Sequence, residues 1–482
     1  MAFLLRSLTG IALNSARKSK MEETKVARET KKQRSRLGRG RHRPDVPDTP
    51  LGEQARQWIL KHNIEHLHGP EEVSYEVDEL VVLVQLYNGK PYMKPLIEHY
   101  FSLGAKHMVF LDNGSTDGCV EVLKNYDNVT VLRTGVPYKT YNVAIKRYLV
   151  ECFGRGRWTL SVDQDELFDY PYSDVVSLKA LLGYLSKNSY TAVVAYMLDM
   201  FPERLSEDDP LTEDMSLEEL KEMNRFYDIS EVTSASYHDV GDIGNVLANE
   251  EIEVLRGGVR ERIFHVRPML TKHPLVFLDE RLRPMDLSDH WAGNAHVADF
   301  TGVLLHYKLS NSLYEVVRQE IRDRRQLPLK KDRYGDYFEV LDKAPNLLIK
   351  NSVSKELESV NELVGTAFVT VSRQYMRFVE SEDQRKGHRS GEVRPERMFE
   401  PFFNARAEVT TYKAAAQKAR EQARRAEEQI QAIQSSRSWK VLTGLNRIKT
   451  GARGVLGRLK NGVQKGISRA TGKTKSVSEG KD

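Results

Sequence analysis

Between residues 80 and 162, four short apolar runs alternate with segments of helical period, and this alternation admits few folds. The runs are 80–86 (LVVLVQL), 107–111 (HMVFL), 129–132 and 158–162. Continuously apolar strands of this kind belong inside a parallel sheet that is covered on both faces. Between them, 91–103 places Met93, Leu96, Ile97, Tyr100 and Leu103 on one helical face, and Gly104 closes the helix. Residues 120–126 and 139–153 complete the pattern, the second with Val143, Ile145, Tyr148, Leu149 and Cys152 facing inward. Strands and helices in alternation, joined by right-handed crossovers, predict an α/β fold with a doubly wound, mostly parallel sheet.

The fourth run ends in acid. Residues 158–168 read WTLSVDQDELF, so Asp163, Asp165 and Glu166 leave the carboxyl end of a strand, where open α/β sheets bind ligands. Two carboxylates at i and i+2 can grip a hard divalent cation such as Mn²⁺ or Mg²⁺, which would neutralise a diphosphate. An acidic loop after a strand is the plainer reading of an isolated D-x-D. The second strand runs into DNGSTDG (112–118), which puts Asp112 at a neighbouring strand end. With Gln85 and Asn88 after the first strand, these loops form a polar crevice able to hydrogen-bond a base and a ribose.

Farther along, 178–185 reads as a helix, 191–198 as a strand, and 203–235 as an acidic, irregular surface insertion over the site. GGVRERIF (257–264) reads as a turn into a strand, which would put Arg260 and Arg262 on one face as a bidentate clamp for a diphosphate. VLLHYKL ends a further strand with His306, a candidate third metal ligand, and Lys308 two residues on would share its face and meet a phosphate. Exposed strand arginines and a structural histidine are the bland alternatives. Residues 312–327 read as a helix.

Charge is uneven. The net +5 divides into +8 over residues 1–48, +10 over 435–482 and −13 between them. An acidic body with basic arms excludes a nucleic-acid-binding domain, which carries its basic face on the fold, and suits an anionic membrane surface. No run of eighteen apolar residues is present, so no segment is expected to span a bilayer. Residues 1–50 read as a basic, disordered tail. Residues 405–434 contain a weak, Ala-rich heptad seam (409–433) able to form a homo-oligomer, and 435–482 read as a basic amphipathic tail. A helical or irregular extension, 331–404, precedes them. Cys119 and Cys152, both in helical apolar settings, are expected as buried free thiols in a reducing compartment.

The strand followed by DNGSTDG, the later VDQDE, GGVRERIF and LLHYK, in that order, resemble a GT-A glycosyltransferase of the family-2-like group that includes family 92. The resemblance covers about residues 80–327. It implies a GT-A-type domain over 75–330, with a small acceptor-side sub-region and a C-terminal helical or coiled-coil extension. It further implies a nucleotide-sugar donor, UDP- or GDP-linked, and Mn²⁺ or Mg²⁺ as Lewis acid. Asp112 matches the position that contacts the nucleobase, Asp163 and Asp165 the D-x-D that meets ribose and metal, and His306 the third metal ligand. The family's usual acidic motif for the base is not cleanly present. Asp289, beside His290, is the first candidate, and Asp242 and Glu261 compete with it.

The expected function is metal-dependent transfer of a hexosyl unit to a glycan or lipid-linked acceptor in surface polysaccharide assembly. It would take place in the cytoplasm, peripherally at the cytosolic membrane face. The alternatives are a nucleotidyltransferase, for which YNGKPYMK after the first strand is too poor in glycine, and a membrane-associated scaffold with a degenerate transferase domain.

Overall fold

A computed structural model describes residues 50–240, 243–323, 333–366 and 368–385. The chain splits into two units, Met1–Arg389 and Ser390–Asp482, and every described residue belongs to the first. Both basic tails, the heptad seam and Asp242 lie outside the described residues.

The alternating runs form the expected units. Strands β2 (Val81–Leu86), β3 (His107–Asp112), β4 (Val129–Thr134) and β5 (Trp158–Asp163) pair in parallel in the order β4-β3-β2-β5. Helices α2 (Lys90–Leu103), α3 (Cys119–Leu123) and α4 (Tyr138–Phe153) connect them. Gly104 ends α2 with φ 106°, a left-handed cap that glycine adopts without steric cost. Helix α5 (Leu178–Lys187), capped by Ser177, leads into β7 (Ala192–Asp199), buried along its whole length.

Among the described residues the sheet has ten strands. β1 (Ile64–His68) pairs antiparallel with β4 at one edge, after helix α1 (Pro50–Lys61). Beyond β5 come β9 (Thr271–Phe277), β7, β10 (His296–His306) and β8 (Val246–Leu247), while β6 (Glu166–Asp169) pairs with β10. β9 is antiparallel to both β5 and β7, and β7 is parallel to β10. Hence β2–β5, β7 and β10 all run one way. Asp112, Asp163, Asp199 and His306, each the last residue of its strand, therefore lie along a single edge. The result is a mixed α/β fold with a large, mostly parallel central sheet, consistent with the GT-A fold.

Several local expectations fail for physical reasons. In GGVRERIF the turn leads into a helix, α7 (Val259–Phe264), and the strand lies before it, at Glu253–Gly257. Gly257 and Gly258 take φ of 90° and 78° and turn the chain, after which Val259 and Phe264 are buried and Ile263 packs against the same cluster, a spacing of 3.6 and not 2. β10 stops at His306, and Lys308 lies in a 3-10 turn (Tyr307–Leu309), so the two do not share a strand face. Residues 203–235 are partly regular: helix α6 (Leu217–Met223) begins with a Ser216–Glu219 capping box, and Leu217 N–H donates to Glu98 on α2.

Of the cysteines, Cys119 is buried and Cys152 is exposed. Cys152 shares the angular stripe of Ile145 and Leu149 but sits in the last turn of α4, where the stripe has run past its cover. The buried face of α4 also holds two cations, Lys146 and Arg147. Arg147 pairs with the buried Glu53 of α1 at 2.8 Å and donates to the carbonyls of Leu287 and Met285.

Beyond the sheet, α8 (Leu313–Asp323) and α9 (Arg333–Leu341) close a second apolar cluster with Phe201, Phe226, Phe264 and Ile349. Helix α10 (Arg373–Arg385) lies against β10, with Tyr375 stacked on Phe300 at 4.2 Å.

Gly302, inside β10, lets the Phe168 ring of β6 approach: a Cβ there would meet Phe168 Cε2 at 2.6 Å and the Asp169 carbonyl at 3.1 Å. Gly302→Ala is therefore expected to destabilise the protein by about 1–3 kcal/mol. Gly183→Ala, in the interior of α5 with open space around it, is expected to be neutral or to stabilise by up to about 1 kcal/mol. Denaturant unfolding of the two variants side by side checks the contrast.

Candidate active site

Three loops at the carboxyl edge are tied into one frame. Tyr87 N–H donates to Gln164 Oε1 at 3.0 Å, Asn88 N–H to Ser115 Oγ at 2.9 Å, and Thr116 N–H to Asn88 Oδ1 at 2.9 Å. These bonds join the turn after β2, the DNGSTDG loop and the turn between β5 and β6. Asn88, at φ 48°, gives its carbonyl to the frame. Gly89 permits the frame to close, because a Cβ there would fall 2.6 Å from Gln164 Oε1.

Asp112 is fully buried. Ser115 N–H donates to its Oδ1 at 2.9 Å and Arg133 Nε to its Oδ2 at 2.7 Å. Both carboxylate oxygens are thus engaged, and the half-buried Arg133 stands between Asp112 and solvent.

Asp165 and His306 come together. His306 Nε2 lies 3.6 Å from Asp165 Oδ2. Its Nδ1–H donates to Asp199 Oδ1 at 2.7 Å, which turns Nε2 toward Asp165. Arg260 Nε donates to the other Asp199 oxygen at 2.8 Å. Burial pushes the Asp199 carboxyl up, and Arg260 with His306 more than reverses this, so it stays below the usual carboxylate range.

A carboxylate that fixes a histidine in this way is the usual outer support of a metal-ligating imidazole. Two ligands about 2.1 Å from one ion, at right angles, stand about 3 Å apart, so Asp165 and His306 fit one divalent ion with little movement. Among the described residues, no group of three or more His, Cys, Asp or Glu side chains could hold a metal ion. A two-ligand site matches an ion that takes its remaining ligands from water and substrate phosphates.

Asp163 faces elsewhere. Lys272 Nζ lies 2.7 Å from Asp163 Oδ2 and 2.5 Å from Glu166 Oε1. Burial pushes the Asp163 carboxyl up, but the Lys272 ammonium dominates and holds it well below its ordinary range. Glu166 is completely buried and its carboxyl stays raised, first by burial and then by the Asp163 charge, against the pull of Lys272. Lys272 itself is raised, because its two carboxylate partners outweigh its burial. β9 carries no clean strand pattern in the sequence, because Pro274 interrupts it and its pairing with β7 slips between Lys272 and Leu275. An acidic pair at a strand end, which has to find a buried cation, was the available signal.

A cleft between α4 and the ends of β2, β5 and β9 is lined by Gln85, Lys146, Ser161, Asp163, Lys272 and Asp289. The Gln85 Oε1 and Ser161 Oγ atoms are buried and have no hydrogen-bond partner among the described residues, so they suit a polar ligand. Lys146 Nζ donates to the Asp289 carbonyl at 3.0 Å. Asp289 itself is half-exposed, with His290 Nε2 3.8 Å from its carboxylate.

The remaining candidates are engaged elsewhere. On helix α7, positions 260 and 262 point about 200° apart, so the two arginines make no common clamp. Arg260 serves Asp199, and Arg262 donates to the Ile349 carbonyl and faces Asp228 at 3.5 Å. Lys308 lies over the Tyr334 ring at 5.5 Å. Glu261 pairs with Arg267 at 3.6 Å.

Burial pushes Lys146 down to about 8, partly offset by Asp289. Its folded pKa therefore lies below its unfolded value, and between about pH 8 and 10.5 the unfolded chain binds more protons. Stability from this group must rise with pH in that window, by at most about 1.4 kcal/mol per unit. The stability of wild type relative to Lys146→Met is expected to climb from pH 8 to 10 and to stay flat from pH 6 to 7, as read by urea unfolding.

Residues 81–210, from the start of β2 to a point past β7, match the family described as Glycosyl transferase family 2. The matched span holds Asp112, Asp163, Asp165 and Asp199, while Lys272, Asp289 and His306 lie beyond it. No curated protein matches the chain.

Proposed function

We propose that this protein transfers a hexosyl unit from a UDP- or GDP-linked donor to a glycan or lipid-linked acceptor, with a divalent ion, Mn²⁺ or Mg²⁺, held by Asp165 and His306. The observation that carries this reading is the 3.6 Å approach of Asp165 to a histidine fixed by Asp199, at the ligand-binding edge of a sheet whose first half matches a glycosyltransferase family. When bound, the ion would supply Lewis-acid charge to the leaving diphosphate. The order of GGVRER and HYK supports the kinship with family 92. The basic tails and the heptad seam support a peripheral site at the cytosolic membrane face and a self-associating chain engaged in surface polysaccharide assembly.

The chain's own groups divide the work. Asp163, part-exposed and steadied by Lys272, accepts a hydroxyl of the donor ribose. The unpaired Gln85 oxygen accepts from the same nucleoside, and the Asp112–Arg133 pair borders its base. Asp289 takes the proton of the acceptor hydroxyl as that oxygen bonds to the anomeric carbon. The bond from that carbon to the diphosphate oxygen breaks, and the nucleoside diphosphate leaves with the electron pair. Lys146, by holding the Asp289 carbonyl, turns the carboxylate toward the cleft.

The test is release of nucleoside diphosphate from a panel of nucleotide sugars with Mn²⁺. Asp165→Ala is expected to lose turnover at least about a hundredfold. Asp289→Asn is expected to lose about 10²–10⁴-fold in kcat with donor binding retained, read by thermal shift. Unchanged turnover in Asp165→Ala would refute the metal assignment, and release of pyrophosphate would replace the reaction with nucleotidyl transfer.

A further inference from the structure

The acidic motif already contains a cation. Lys272 Nζ bonds to Asp163 and Glu166 together, and the residue is only 7% exposed. Glu166 explains half of this arrangement: a fully buried carboxylate needs a partner. Asp163 needs one less, because its side chain is 44% exposed and water reaches it. A lysine with a purely structural role would be satisfied by Glu166 alone. Its second bond, to the first acid of the D-x-D, calls for a different reason.

The surroundings supply it. Asp165, two residues on, faces the opposite partner, His306, while Asp163 is turned toward Lys272 and the cleft. An ammonium has three N–H donors, and two are spent on the carboxylates. A divalent ion drawn to this edge thus meets one open carboxylate, Asp165, and one imidazole, and keeps more of its charge for a diphosphate than it would among three carboxylates.

We propose that Lys272 is a positioning residue, a built-in cation that withholds Asp163 from metal coordination, confines the ion to Asp165 and His306, and leaves Asp163 to accept from the donor. This inference rests on the metal-dependent reading above.

The experiment is Mn²⁺ binding to the full chain, followed by electron paramagnetic resonance and calorimetry without donor. Lys272→Met alone strands a buried Glu166 charge and risks misfolding, so the informative variant is Lys272→Met with Glu166→Gln, which removes the buried pair together. Its fold is verified by circular dichroism and thermal melting. The double variant is expected to bind Mn²⁺ about tenfold tighter than wild type, or to take up a second ion, because Asp163 is released as a ligand while the Lys272 and Glu166 charges leave together. Adding Asp163→Asn is expected to abolish that gain. Unchanged or weaker Mn²⁺ binding in the folded double variant would overturn the role given to Lys272. If wild type bound no Mn²⁺, or if Asp165→Ala left binding unchanged, the metal-dependent reading itself would fall, an outcome distinct from the first.

Discussion

Buried carboxylates along one edge of the sheet set the terms for everything else in this protein. Asp112, Glu166 and Asp199 are almost wholly withdrawn from water at one edge of the sheet. An isolated carboxylate in such a place costs several kcal/mol, so each must meet a cation or a set of donors. Arg133 comes from the adjacent strand β4, Lys272 from the antiparallel strand β9, and Arg260 from helix α7. The three cations pin those elements against the edge. In turn they decide which acids remain open to a ligand.

What stays open is a short set: Asp165 toward His306, the outward oxygen of Asp163, the half-exposed Asp289, and the unpaired oxygens of Gln85 and Ser161. This separation of sealed and open acids has a chemical consequence. The sealed ones fix geometry, as Asp199 does by orienting the His306 ring. The open ones are left free to meet a ligand. The paired arginines, which look like ligand clamps in the sequence, belong to the sealed set: Arg260 neutralises Asp199, and Arg262 ties α7 to the 228 and 349 segments.

Much of the sheet was legible because it is written in local periodicity. Residues 80–86 and 107–111 are apolar apart from Gln85 and His107, since both faces of a parallel strand are covered, and each became a buried strand within a residue of its expected bounds. Periodicity was less informative where two signals compete. Val259, Ile263 and Phe264 carry a helical spacing inside a run whose Arg260 and Arg262 also carry a strand's spacing of two, and the helix prevailed because it buries Val259 and Phe264 in one cluster. β9 escaped notice for the opposite reason: Pro274 breaks the pattern, yet a slip in pairing accommodates it. Lys146 sat unremarked in a helical face because an apolar stripe does not announce a buried amine.

The sequence alone determined the parallel units and the fact that Asp112, Asp163 and His306 finish their strands, because side-chain alternation and helical period are properties of neighbouring residues. The tertiary structure decided which charge answers which. Lys272 meets Asp163 across 109 positions, His306 meets Asp199 across 107, and Arg260 meets Asp199 across 61. No local pattern encodes such partnerships. They arise when folding strips water from the carboxylates and the only stable outcome is the one that delivers a cation or donor to each.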